Sequence, residues 1–277
     1  MDQARLEAQL THSRARAVVL GLPTFQNSSF IRAPLDGPAR IAAAIKREES
    51  NGWAETGIDL SRPGTMDFLG DLALETTDDF EHIRAAAAAM FGGSRRALFL
   101  GGDHSVTYPI LAGLHDRLGP VDVVHIDAHP DLYDDYEGNP LSHASPFARA
   151  LERGFIRRLH QFGIRTMNAH QRDQVARFGV RCHEMRDRAR WPAPDVQGPV
   201  YVTVDLDGLD PSCAPGVSHW EPGGLTVRET LDVLHAIQAP VVGGDVVEYN
   251  CARDPQGITA VVAARLAMEI VGLALRD

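Results

Sequence analysis

Three short apolar runs in this chain end in residues that can bind cations or move protons. Residues 97–100 lead into Gly101-Gly102-Asp103-His104-Ser105, residues 121–126 into Asp127-Ala128-His129-Pro130-Asp131, and residues 200–204 into Asp205-Leu206-Asp207-Gly208-Leu209-Asp210-Pro211. Side chains alternate along extended backbone, so Asp127, His129 and Asp131 are expected on one side, and likewise Asp205 with Asp207. Gathered in one place, these four aspartates would repel and raise each other's pKa unless cations neutralised them. Two divalent ions carry the four positive charges required. Carboxylate oxygen mixed with imidazole nitrogen, with no cysteine in the motifs, favours manganese, with nickel, cobalt, iron or zinc as alternatives. Such a pair lowers the pKa of a shared water and makes hydroxide available at neutral pH, which is hydrolytic chemistry. Taken singly, the motifs have plainer explanations: a glycine turn, a surface Asp-His pair, a calcium loop or capping carboxylates. Their succession along one chain favours the shared site.

A site of this kind needs a scaffold that collects strand ends. Residues 17–21, 97–100, 121–126, 159–164, 200–206 and 240–247 read as strands, several apolar at consecutive positions, as a strand covered on both faces should be. Helical patterns alternate with them, which predicts an α/β fold with a central, mostly parallel sheet. Residues at the carboxyl ends of parallel strands then meet in one crevice. Pro38 suits the first turn of a helix through 41–45, Thr77 or Asp78 can cap a helix through 85–90, and Thr226 can cap 227–237. The apolar stretch 261–275, broken by Arg265 and Glu269, reads as a buried C-terminal helix, too short for a bilayer span. Residues 48–66, with turn signals at Asn51-Gly52 and Pro63-Gly64, read as a surface excursion. No linker or repeat divides the chain, so residues 1–277 are expected to form one domain.

Composition narrows the function classes. With 27 Lys plus Arg against 37 Asp plus Glu, the net charge of -10 argues against a nucleic-acid or anionic-membrane partner. A hydrophobic content of 44% is enough for a core and excludes disorder, collagen and coiled coil. Cys182, Cys213 and Cys251 are odd in number and far apart, which fits a reducing compartment, and the first residues form no signal peptide. The expectation is a cytoplasmic protein.

In this order, Gly-Gly-Asp-His-Ser, Asp-Ala-His-Pro-Asp and Asp-Leu-Asp-Gly-Leu-Asp-Pro resemble the three signatures of the ureohydrolase family. The resemblance extends from Gly21-Leu-Pro and Asn27-Ser-Ser-Phe30 through Gly37-Pro38 to Asp245-Val-Val-Glu248. Glu137-Gly138-Asn139, Ser142-His-Ala-Ser145, Phe147-Ala-Arg149 and the stretch from Gly216 to Gly224 are most similar to its plant-type arginase branch. The resemblance implies a three-layer α/β/α sandwich, two Mn2+ per subunit and a homo-oligomer, trimer or hexamer. It makes His104, Asp127, His129, Asp131, Asp205 and Asp207 the metal ligands, with Asp127 and one of Asp205 and Asp207 bridging, and gives Asp103 and Asp210 a supporting role.

It further implies that His143 passes a proton to the leaving amine, that Glu248 grips the guanidinium of a small cationic substrate, and that Asn139 and His219 line the substrate pocket. His125 reads as a core or supporting residue. The implied reaction is hydroxide attack on the guanidinium carbon, L-arginine giving L-ornithine and urea. Animal and bacillar relatives carry an Asn two residues before the mobile histidine. Here that position is Leu141, which leaves agmatine and guanidinobutyrate as alternative substrates. An amide or formimino hydrolase and a catalytically silent metal-binding subunit are the readings from other classes.

Overall fold

A computed structural model describes residues 1–47, 51–74 and 79–276. Among them, eight parallel strands form one sheet in the order β2-β1-β3-β8-β7-β4-β5-β6. These are β1 (Ala17–Gly21), β2 (Met66–Asp71), β3 (Arg96–Leu100), β4 (Val121–Ile126), β5 (Ile156–Ile164), β6 (Arg181–Glu184), β7 (Val200–Asp205) and β8 (Val241–Val247). Helices α1 (Gln3–His12), α3 (Asp79–Met90), α4 (Thr107–Leu118) and α5 (Pro146–Glu152) are joined in chain order by α2 (Gly37–Ile45), α6 (Ala169–Phe178), α7 (Val227–His235) and α8 (Ile258–Leu275). Two apolar cores, one against each face of the sheet, give the expected three layers.

All six predicted strands are present, and β1, β4, β7 and β8 are buried at every residue, as strands covered on both faces must be. The run at 159–164 begins earlier, at Ile156, because Ile156 and the partly exposed Arg158 continue the pairing with β4, with the exposed Arg157 bulged out between them. The run at 200–206 ends one residue sooner, where Leu206 opens a 3-10 turn. The sequence reading missed β2 and β6. Both are edge strands without a continuous buried face, and β2 carries a register break at Gly70.

Pro38 occupies the first turn of α2, and Thr226 caps α7 in a reciprocal capping box with Glu229. The cap at Thr77 or Asp78 lies outside the described residues. The excursion is more than surface: Ala54 and Leu60 are buried in the core, and the Glu55 N–H donates to Glu269 Oε1 on α8 at 2.7 Å. Helix α8 has the length and hydropathy of a membrane span, yet 78% of that stretch is buried, and it packs against α2, β3 and β8.

Candidate active site

The carboxyl ends of β3, β4, β7 and β8 converge on one cavity of about 520 Å³. Beyond β3 the chain passes through Gly102, where a Cβ would run into the Thr24 carbonyl, so only glycine lets this loop lie so close to its neighbour. Asp103 fixes the following turn by accepting from Ser105 N (3.0 Å), Ser105 Oγ (2.5 Å) and Asn27 N (3.1 Å). His104 is thereby held fully buried beneath the cavity.

The His104 ring shows how the site is wired. Thr203 Oγ1 donates to Asp245 Oδ1 at 2.5 Å, so it can only accept from His104 Nε2, 3.0 Å away. Asp245 is itself fixed by Tyr201 (2.7 Å) and Thr107 (2.9 Å). This chain leaves the His104 Nδ1 lone pair facing Asp127 Oδ2 (3.2 Å), Asp131 Oδ2 (3.0 Å) and Asp205 Oδ2 (3.2 Å), without forming a hydrogen bond. Adjacent ligands bound to one cation at about 2.1 Å sit about 3.0–3.4 Å apart, for octahedral to tetrahedral angles. The three distances from His104 Nδ1 fit that spacing.

A second group repeats the pattern. His129 Nδ1 lies 3.4 Å from Asp127 Oδ1 and 3.3 Å from Asp207 Oδ2. Asp127 therefore presents one oxygen to each group. The residues fit a pair of divalent cations. Although His125 also lies beside Asp127, its Nδ1 faces the Gln161 amide N–H (3.1 Å), so Nε2 carries the proton and donates to Asp127 Oδ2 (2.8 Å). His125 supports the aspartate and has no lone pair left for a metal. Burial pulls its pKa down to about 4, which keeps the ring neutral.

Electrostatics demand the cations. At about 4–5 Å two carboxylates repel by roughly 3–4 kcal/mol in an effective dielectric of about 20. Burial, then Asp127, pushes Asp131 up to about 6; burial, then Asp207 and Asp127, pushes Asp205 well above the carboxylate range. Asp127 goes the other way, its burial outweighed by His125, His104 and His129. Without counter-ions this cluster can only be neutralised by protons.

The backbone route differs from the expected alternation. Strand β4 stops at Ile126, and Asp131 returns to the site because it adopts a left-handed conformation (φ 53°). Glu248, just past β8, does the same (φ 63°), so two site carboxylates sit in a conformation that costs a non-glycine residue about 1–3 kcal/mol. Asp205 Oδ1 accepts from Asp207 N at 2.8 Å, which curls the Asp205-Leu-Asp207 turn. Asp210 accepts from Ser212, Gly223 and Gly224, holding the next loop, and these bonds lower its pKa to about 2.

Glu248 Oε1 accepts from His104 N at 2.9 Å and lies 3.3 Å from His143 Nδ1, whereas the buried Oε2 has no hydrogen-bond partner. His143 Nε2 contacts Ser29 Oγ at 2.9 Å, and its ring stacks on His219 at 5.5 Å. Burial pulls the His143 pKa down, but Glu248, with Asp131 and Asp103 behind it, pushes it up to about 9.

His219 lines the cavity, as expected. Asn139 is engaged elsewhere: its amide donates to Asn27 Oδ1 (3.0 Å) and accepts from Leu141 N (2.9 Å), tying the loop that carries His143 to the one that carries Ser29. Tyr133, Tyr136, Asn168 and Glu221 also line the cavity and escaped the sequence reading, because no spacing marks them. Arg165 escaped it too. Its guanidinium binds the carbonyls of Asp207 (2.6 Å), Gly208 (3.1 Å) and Glu221 (2.9 Å) and pins the Asp207 loop.

A parallel α/β sandwich whose strand ends carry two imidazole–carboxylate groups joined by one aspartate defines a metal-dependent hydrolase of the binuclear class. The chain belongs to the arginase family, whose model matches residues 15–272. It is 44% identical over 292 aligned positions to "Arginase 1, mitochondrial" of Oryza sativa subsp. indica, covering 97% of this chain and 86% of that protein. It is 34% identical to the N(1)-aminopropylagmatine ureohydrolase of Thermus thermophilus, over 96% of this chain and 93% of that one. The solved arginase from Medicago truncatula superposes with a TM-score of 0.88 at 41% identity, over 97% and 90% of the two chains.

Proposed function

We propose that this protein hydrolyses L-arginine to L-ornithine and urea with two manganese ions. His104, Asp127, Asp131 and Asp205 would hold one ion, and His129, Asp127 and Asp207 the other. Bound there, the ions supply hydroxide at neutral pH for attack on the guanidinium carbon. The oxygen-rich donor set with two imidazoles suits Mn2+.

The chain's own groups do the rest. Glu248 Oε2, buried in the cavity wall and without a hydrogen bond, is placed to accept from a planar guanidinium. That oxygen is the observation that carries the reading. When the tetrahedral carbon collapses, its bond to the alkyl nitrogen breaks, and the proton on His143 Nδ1 passes to that nitrogen. Ser29 holds the opposite edge of the ring.

Arginine is preferred as substrate because the similarity to plant arginases runs through nearly the whole chain. Leu141, and Glu221 on the cavity rim, favour the second reading, a decarboxylated substrate with a second cation. Urea release by the manganese-loaded protein decides between them, with L-arginine, agmatine and 4-guanidinobutyrate compared side by side. A higher kcat/KM for arginine is expected; preference for agmatine would move the assignment to the second reading, and release of formamide or acetate without urea would overturn both.

His143→Ala should keep the metal content of the wild type and slow turnover about 100-fold. A proton donor acts only below its own pKa, so the wild-type rate should fall as pH rises through that of His143, and the variant should lose this limb. An unchanged pH–rate profile would remove the histidine from the reaction. We also propose a cytoplasmic homo-oligomer, trimer or hexamer; three free cysteines support the compartment, and the family resemblance supports the assembly. A 30.2 kDa species in sedimentation would contradict the assembly.

A further inference from the structure

The opposite end of the sheet carries a second, larger cleft of about 840 Å³, with no known counterpart in the chemistry above. It opens where β1, β3 and β8 begin and is lined by residues 13–16, 92–96, 238–241 and 273–276. Those segments bring five arginines together, Arg14, Arg16, Arg95, Arg96 and Arg276, and contain no aspartate or glutamate. In a chain of net charge -10 this concentrates positive charge at one place.

Among the described residues none of the five forms an ion pair with a carboxylate. Four are positioned by main-chain carbonyls: Arg16 by Leu275 O (3.0 Å), Arg96 by Ala274 O (3.0 Å), Arg95 by Leu10 O (2.8 Å) and Ser13 O (3.0 Å), and Arg276 by Ile237 O. For Arg16 and Arg96 the carboxyl end of α8 gives a structural reason to be there. A carbonyl dipole does not cancel a full charge, however, and a guanidinium with five N–H groups retains donors after one or two such bonds. Arg14, exposed at the mouth of the cleft, has no hydrogen-bond or ion-pair partner among the described residues. Gly93 N, Ser94 N and Ser94 Oγ, on the same wall, add neutral donors without partners among the described residues.

From this juxtaposition we propose that the cleft binds a small, multiply charged oxyanion, its phosphate or carboxylate groups taken bidentately by the guanidinium forks. The size suits a metabolite rather than a macromolecule. Arginine is the cation whose planar donors match both phosphate and carboxylate, and no lysine lines the cleft. A ligand here would clamp the segment after α1, the α3–β3 turn and the end of α8, three stretches distant in sequence.

Calorimetry on the full-length, manganese-loaded protein at low salt tests this, with tripolyphosphate and citrate as probes. One saturable site per chain for either probe is expected, weakened about tenfold by Arg14→Gln and about 100-fold or more by Arg14→Glu. Arg14 lies far from the catalytic cavity and supports no fold contact, so both variants should keep the wild-type melting temperature and unliganded turnover. Tighter binding of tripolyphosphate would identify a phosphate-bearing ligand, and tighter citrate a carboxylate one; both support the site. No saturable binding of either probe, or binding unaltered in Arg14→Glu, would overturn it. So would loss of the oligomer in Arg14→Glu without anion binding by the wild type, which would make the cleft a contact between copies.

Discussion

Asp127→Asn is expected to empty the metal site and to lower kcat/KM by about 1,000-fold. Asp127 is the one residue that serves both groups, through Oδ2 toward His104 and Oδ1 toward His129. An asparagine keeps one oxygen, but puts an NH2 with no lone pair to offer where the other oxygen stood. The loss removes a full negative charge from the centre of the cluster as well. If the ions contribute several kcal/mol to transition-state stabilisation, losing about 4 kcal/mol of it corresponds to a factor of roughly 1,000. Elemental analysis after dialysis should find less than one ion per chain.

A folding defect would look different. Without metal the asparagine loses the attraction of His125, His104 and His129 that holds Asp127 charged, so the metal-free variant should still unfold cooperatively but somewhat below the metal-free wild type. What it should lack is the rise in melting temperature that added Mn2+ gives the wild type, since only a ligand bound to the native state stabilises it. Two ions per chain and near-normal turnover in this variant would dismantle the ligand assignment.

The ease with which this centre was read from sequence has a physical cause. Metal ligation restricts residue type severely, and the end of a buried strand is an improbable place for three aspartates and histidines without a cation. Burial on both faces likewise makes a strand such as β4, with six consecutive buried residues, stand out from its surroundings. Edge strands carry no such mark, so Met66–Asp71, of which only Met66 fell within the expected excursion, and Arg181–Glu184 were not read as strands. The cavity walls were equally silent. Tyr133 and Glu221 reach the site through loops whose course depends on contacts such as Asn27 with Asn139, distant in sequence. Alternation placed Asp131 beside Asp127, but by the wrong route, since a left-handed turn rather than a pleat brings it back. The arginine cleft lay hidden for the same reason as the walls: it is assembled from the beginning, middle and end of the chain.

Glu248→Gln should leave both ions in place and still cost about 1,000-fold in kcat/KM. Glu248 touches the cluster only through the His104 N–H, which the glutamine oxygen can continue to receive, so metal content should not change. What disappears is the anion on Oε2, the buried oxygen with no hydrogen bond in the fold. A charge-assisted bond to a buried cation is worth about 1.5–3 kcal/mol, and glutamine would set its own N–H donors against those of the guanidinium. Loss of the bond plus that conflict amounts to roughly 4 kcal/mol, or about three powers of ten. Most of it should appear in KM, because the guanidinium is charged in the ground state too.

The same substitution makes a second, independent statement through His143. Burial depresses that imidazole, and Glu248 is the largest influence holding it up at about 9. With the carboxylate gone, the folded pKa must fall, so the alkaline limb of the pH–rate profile should move to lower pH. Glu248→Asp keeps the charge on a shorter arm and should restore the position of that limb while binding substrate poorly. A glutamine variant with unaltered KM and an unmoved alkaline limb would separate Glu248 from both substrate and proton transfer.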